Sequence, residues 1–207
     1  MRKHGVFITF EGPEGSGKST LIKAAARFFR SKGFPVLILR EPGGTAISEA
    51  VREILLDRKN LKMTVETELF LYLAARAQIV AEVIKPALAA GKTVLCDRYA
   101  DSTLAYQGYG LGLGLDALRA ITRFATGGLV PDLTFYIDVP VEVGIARKQS
   151  DQVNRLDEKE IAYHRQVRAG FLEMARAEPS RWVVVNAVRS LELVQQDIRE
   201  RVLKELK

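Results

Sequence analysis

Gly12-Pro13-Glu14-Gly15-Ser16-Gly17-Lys18-Ser19-Thr20 lies directly behind the apolar run Val6-Phe7-Ile8-Thr9-Phe10 and ahead of a helical pattern from Leu21 to Arg30. Strand, glycine-rich loop and helix in that order make a phosphate-binding loop in its required context. Its glycines let backbone N–H groups turn inward around a polyphosphate, Lys18 reaches the β- and γ-oxygens, and Ser19 offers a hydroxyl to Mg²⁺ at a helix N-terminus. The stretch therefore predicts nucleoside-triphosphate binding by Gly12, Pro13, Glu14, Gly15, Ser16, Gly17, Lys18, Ser19 and Thr20. A glycine-rich turn with an incidental lysine would have no reason to sit between a strand and a helix in this way.

Outward from the loop, β-rich runs recur at 36–39, 94–96, 133–139 and 182–185, separated by segments with helical periodicity. Alternation of this kind predicts an α/β fold with a five-stranded parallel sheet flanked by helices on both faces. The first helix should end near Ser31, before a left-handed cap at Gly33. Others are expected at 48–56, from 64 until Pro86 and Gly91 interrupt or end it, and at 116–126, 141–148, 158–177 and 191–206. The Gly-x-Gly-x-Gly run at 108–114 lacks the dinucleotide-binding spacing and reads as a flexible connector.

The chain has 207 residues, 47% of them hydrophobic, and no composition break, so a single domain over 1–207 is expected. Neither a signal-peptide core nor a run of transmembrane length appears, which predicts a soluble, cytoplasmic protein with no membrane partner. Cys96, the single cysteine, sits in an apolar run and reads as core. The net charge of +6 is spread among interspersed acids and bases without a five-residue basic block. That pattern argues against a nucleic-acid partner, while a cationic bias suits a small anionic substrate.

A second informative stretch is Val94-Leu95-Cys96-Asp97-Arg98-Tyr99-Ala100-Asp101-Ser102-Thr103-Leu104-Ala105-Tyr106-Gln107. Ligands of open α/β sheets collect at the carboxyl ends of strands, so Asp97 and Arg98 should face the same crevice as the phosphate loop. There Asp97, with Ser19, can hold Mg²⁺, and Arg98 can clamp a phosphate; a plain Asp–Arg ion pair is the bland alternative.

The stretch as a whole resembles the signature of thymidylate kinases, P-loop enzymes that phosphorylate dTMP. Arg40-Glu41-Pro42-Gly43-Gly44-Thr45, Glu68-Leu69-Phe70-Leu71-Tyr72-Leu73-Ala74-Ala75-Arg76, Pro131-Asp132-Leu133-Thr134 and Arg155-Leu156-Asp157 extend the likeness over nearly the whole chain. The resemblance implies a P-loop NTPase fold with a short mobile lid at about 147–155, Mg²⁺ with ATP as phosphoryl donor, dTMP as acceptor, and a homodimer packed through helices.

Residue by residue, the resemblance puts Tyr72 where an aromatic ring stacks on thymine and Arg76 where a donor meets a base carbonyl. Positions i and i+4 share a helix face, which makes that pairing physically sensible. Arg98 would bind the monophosphate, Thr103 would meet the polar edge of the base, Tyr106 would lie against the deoxyribose, and Gln107 completes the match. Arg40, Glu41 and Pro42 would border the acceptor phosphate, with Pro42 a candidate for an unusual isomer. Glu14 matches an acidic position that touches the sugar 3′-hydroxyl. Catalytic roles fall to Glu14, Lys18, Arg98, Arg147 and Arg155; position 15 is glycine, so the lid should supply the catalytic arginine. Plain alternatives remain: a partly buried tyrosine with an exposed arginine for Tyr72 and Arg76, turn and packing roles for Thr103, Tyr106 and Gln107, and solvated helix-end charges for Arg147 and Arg155. Another P-loop kinase, or a P-loop switch or nucleic-acid-coupled ATPase, are the competing functions; the switch's Asn-Lys-x-Asp motif is absent.

Overall fold

The computed structural model describes residues 5–147 and 161–205. Five strands, β1 (Phe7–Glu11), β2 (Val36–Arg40), β3 (Thr93–Asp97), β4 (Leu133–Asp138) and β5 (Trp182–Asn186), form one parallel sheet in the order β2-β3-β1-β4-β5. Each coincides within two residues with an apolar run; the central strands β1, β3 and β4 are buried on both faces, which calls for near-continuous hydrophobic sequence, whereas the edge strands β2 and β5 are only partly buried. On one face Ile8, Phe10, Leu95, Phe135 and Ile137 pack against α1 (Lys18–Ser31) and α9 (Leu191–Glu205). The opposite face splits in two. Phe7, Val94, Cys96 and Tyr99 meet Ile79, Val80 and Ile84, while Tyr136 and Trp182 meet α8 (Ile161–Ala177) through Phe171 and Met174. Cys96 is core, as its apolar surroundings predict.

Helix ends follow local chemistry. Gly33 takes φ +84° and donates its N–H to the Arg30 carbonyl, closing α1 where a left-handed cap is expected. Thr45 caps α2 (Ala46–Leu56), its hydroxyl accepting from the Ser48 N–H at 3.1 Å. Pro86 does not end the long helix: α3 (Val65–Ile79) widens into a π-helical turn at Val80–Ile84 and then continues as α4 (Lys85–Ala89). Proline lacks an N–H and crowds the carbonyl four residues back, and a π turn just ahead of it accommodates both.

One expectation is corrected. Residues after β3 are helical, as α5 (Ala100–Thr103) and a π-helical continuation at Leu104–Gly110, so Gly108 and Gly110 lie inside an element instead of a flexible connector. Their function is close approach: a Cβ on Gly108 would fall 2.5 Å from Leu115, and one on Gly110 would fall 2.6 Å from the Tyr163 ring. Beyond lie α6 (Leu115–Thr126), which packs on α3, and α7 (Val141–Arg147).

Candidate active site

In register, Phe10 of β1 pairs with Asp97 of β3, and Asp97 with Arg40 of β2, so three strands deliver their next residues to one edge of the sheet. From β1 the chain enters the phosphate loop, where Gly12, Gly15 and Gly17 take φ values of +144°, +72° and +91°. A Cβ at Gly12 would lie 2.6 Å from the Ile137 carbonyl; one at Gly15 would run into the Gly144 carbonyl of α7 and approach Arg147 Cβ to 3.3 Å. Backbone therefore crosses backbone at Gly15, which is why this loop has no room for an arginine.

Lys18, the first residue of α1, is buried and donates to the carbonyls of Gly12 and Pro13 at 3.0 and 2.8 Å. Burial, then the neighbouring Arg98, lowers its pKa against the pull of Glu14, Asp97 and Glu11. Ser16 Oγ is buried inside the loop without a hydrogen-bond partner. Pro13 is half-buried, and Gly17 and Thr20 are exposed along the same loop and helix start. Ser19 donates its hydroxyl to Asp97 Oδ2 at 3.1 Å, so the two candidate metal ligands stand together. A hydroxyl and a carboxylate are hard oxygen donors that fit Mg²⁺. No group of three or more His, Cys, Asp or Glu able to hold a metal occurs among the described residues.

Arg98 links the loop to the second stretch. Its Nη2 donates to Glu14 Oε1 at 2.7 Å, its Nη1 to Ser102 Oγ at 3.3 Å, and its guanidinium carbon lies 5.0 Å from the Tyr106 ring centre. Burial opposes its charge, but Tyr106, Glu14 and Asp97 outweigh it and hold the pKa well above the usual arginine value. Among the described residues Arg98 is the one non-glycine with positive φ, at +69°.

A second cluster lies deeper. Arg76 is buried; its Nε donates to Glu41 Oε2 at 2.7 Å, its Nη1 to Thr103 Oγ1 at 2.7 Å and its Nη2 to the Tyr99 carbonyl at 2.9 Å. The exposed-arginine alternative is thereby excluded: ion pairing to Glu41 and bonds to Thr103 and Tyr99 compensate burial of the charge. Burial raises the Glu41 pKa while Arg76 pulls it back, and Glu41 Oε1 is buried without a partner. The Glu41–Pro42 peptide is cis, the isomer anticipated for Pro42. Tyr72 is half-buried one turn before Arg76, close enough to Arg52 and Tyr163 to act on their titration.

Not every candidate points the same way. Arg40 donates to the Pro42 carbonyl at 3.1 Å and to Glu49 Oε2 at 3.0 Å, bracing its own loop. Gln107 donates to Glu68 Oε1 at 2.9 Å and ties the π-helical segment to α3. Arg147 Nη1 donates to the Ala187 carbonyl at 3.2 Å beyond β5, beside Gly15 of the loop. Arg155 and most of the segment read as a lid lie outside the described residues.

Sequence reasoning missed Arg52, which donates to the Pro42 carbonyl at 2.9 Å, and the buried pair Glu11 and Ser102. Glu11 had a readable signal, an acid closing a strand just as Asp97 closes β3; nothing local marks Arg52.

The geometry is a polyphosphate loop joined through Glu14 and Arg98 to a cationic and aromatic crevice. A family model described as Thymidylate kinase matches residues 10–198. A protein named Thymidylate kinase from Herpetosiphon aurantiacus is 52% identical, the alignment covering 88% of each chain. Those of the same name from Roseiflexus sp. (strain RS-1) and Bacillus cytotoxicus are each 48% identical, covering 93% and 98% of this chain and 91% and 99% of theirs. Motif order, sheet topology and likeness over most of the length agree, and the chain belongs to the thymidylate kinase family.

Proposed function

We propose that this chain transfers the γ-phosphoryl group of ATP to dTMP, giving dTDP and ADP. The observation that carries this reading is the 2.7 Å bond from Arg98 to Glu14, which puts a phosphate-clamping guanidinium within the phosphate loop's reach. Little covalent chemistry is required of the protein. Lys18 and the loop N–H groups hold the donor phosphates, and Arg98, bordered by Arg40, Glu41 and Pro42, holds the acceptor phosphate in line. Ser19 and Asp97 would hold Mg²⁺, which when bound screens the charge on the β- and γ-phosphoryl oxygens. Tyr72 stacks on the base, Arg76 and Thr103 address its polar edge with Gln107 beside them, Tyr106 lines the sugar, and Glu14 meets the 3′-hydroxyl. Arg147 and Arg155 are the candidates for the cation that meets charge developing in transfer, since Gly15 leaves no space for one in the loop. In this reading residues 1–207 form one kinase domain, with a lid at about 147–155, working in the cytoplasm on small-molecule substrates and no nucleic acid.

The same reading makes the protein a homodimer. Ile47, Ile54, Phe70 and Phe124 are 56%, 47%, 62% and 90% exposed, and they sit on α2, α3 and α6, which pack side by side. Exposed apolar side chains on three neighbouring helices are surface that a second copy would cover.

A coupled ADP-release assay with MgATP and each nucleoside monophosphate in turn, with an acceptor-free control, tests the activity. Turnover favouring dTMP is expected. Preference for another monophosphate would keep the mechanism and overturn the base assignment; acceptor-independent hydrolysis would overturn the kinase itself.

A further inference from the structure

Glu11 closes β1 and is fully buried. One step away, the β1–β3 ladder ends when the Arg98 N–H donates to the Phe10 carbonyl at 3.0 Å. At Arg98 the chain turns left-handed, so the next N–H, that of Tyr99, has left the ladder. Glu11 Oε1 receives it at 2.8 Å. Glu11 Oε2 receives the Ser102 hydroxyl at 2.6 Å, and that same hydroxyl accepts from Arg98 Nη1 at 3.3 Å. One carboxyl thus holds the backbone immediately after the turn and, through one hydroxyl, the guanidinium that the turn presents.

Two costs make a purely packing role a poor account. A left-handed arginine is disfavoured and persists only where its surroundings over-determine it. A buried carboxyl is disfavoured too: burial, then the Asp101 carboxylate, pushes Glu11 up to about 8, against Ser102, Arg98 and the Tyr99 N–H. A hydrophobe would fill the space without that penalty but could accept neither bond.

We propose that Glu11 is a positioning residue for the acceptor-phosphate clamp, fixing the left-handed turn at Arg98 through the Tyr99 N–H and aiming its guanidinium through Ser102. This rests on the reading of Arg98 as the group that binds the dTMP phosphate. Glu11 itself touches no substrate; its effect passes through Arg98 and should leave ATP binding alone.

Steady-state KM for dTMP and for ATP, with kcat, would be measured on the full chain and on Glu11→Ala, Glu11→Gln, Ser102→Ala, Arg98→Ala and the Glu11→Ala/Arg98→Ala double variant. Loss of one partner of a buried bond predicts about a tenfold rise in KM for dTMP in Glu11→Ala, with KM for ATP within about twofold. Glu11→Gln, which keeps an acceptor for the Tyr99 N–H, should recover most of it, and Ser102→Ala should raise KM for dTMP about threefold. The double variant should be no worse than Arg98→Ala alone, because the residues act in series. Equal rises in both KM values, or multiplying effects in the double variant, would overturn the positioning role. Arg98→Ala impaired for dTMP, with Glu11→Ala and Ser102→Ala like the parent, would overturn this proposal and leave the clamp standing. A normal KM for dTMP in Arg98→Ala would overturn the clamp and this proposal with it. Should Glu11→Ala fail to fold, Ser102→Ala alone and with Arg98→Ala carries the same comparison.

Discussion

Lys18 sits where a positive charge is both costly and useful: buried at the start of α1, with its amine held by the Gly12 and Pro13 carbonyls of its own loop. Those bonds tie the amine to the inside of the loop, where donor phosphates belong. Lys18→Ala should lower kcat by about a thousandfold or more, with the thermal midpoint little changed, since charge stabilisation of transfer is lost while the core is untouched. Near-normal ADP release in that variant would refute the loop's role. Glu11 gives a pH signature at the same scale. Its pKa rises from 4.5 to about 8, so the native chain holds this proton more tightly than the unfolded chain does. The resulting stabilisation is complete below the unfolded value and is lost as pH rises through the folded one. Between about pH 4.5 and pH 8 the parent should therefore lose more stability than Glu11→Gln, read as thermal midpoints along the pH series. Parallel curves would show that Glu11 does not titrate in this way.

At the scale of elements, glycines set how closely one helix can lie on another. Gly170 of α8 receives the Tyr109 ring and Gly110 receives Tyr163, so α8 and the π-helical segment lock reciprocally, with Tyr106 between them and Arg98. Gly170→Ala would drive a methyl into the Tyr109 ring. Overpacking of this kind should cost about 1–3 kcal/mol, seen as a lower urea midpoint with an unchanged slope. Little of this segment was legible beforehand. Leu104, Ala105 and Tyr106 offered few turns of periodicity, and Gly108 and Gly110 resembled loop glycines; only their partners on α6 and α8 explain them. Strands were legible almost to the residue, because the central strands of a parallel sheet are buried on both faces and leave apolar runs in the chain, and the partly buried edge strands are β-rich runs as well.

At the scale of the whole molecule, the proposed dimer would cover the exposed Ile47, Ile54, Phe70 and Phe124 of α2, α3 and α6, and Phe124 is the most exposed large hydrophobe described. Phe124→Glu should shift sedimentation from twice the 23.0 kDa chain mass towards one, without loss of secondary structure. A parent that sediments as a monomer would remove the dimer. The sequence alone determined the order of strands and helices and the strand, glycine-rich loop and helix that make the phosphate loop. These are properties of neighbours along the chain, encoded by periodicity and spacing. Tertiary structure decided what depends on distant neighbours. Arg76 is buried because Glu41 and Thr103, 35 and 27 residues away, bond to its guanidinium. Glu11 is buried because the Tyr99 N–H and the Ser102 hydroxyl reach it from 88 and 91 residues on. A charge can be carried into a core only when its partners arrive with it, and which partners arrive is set by the folding of the sheet edge.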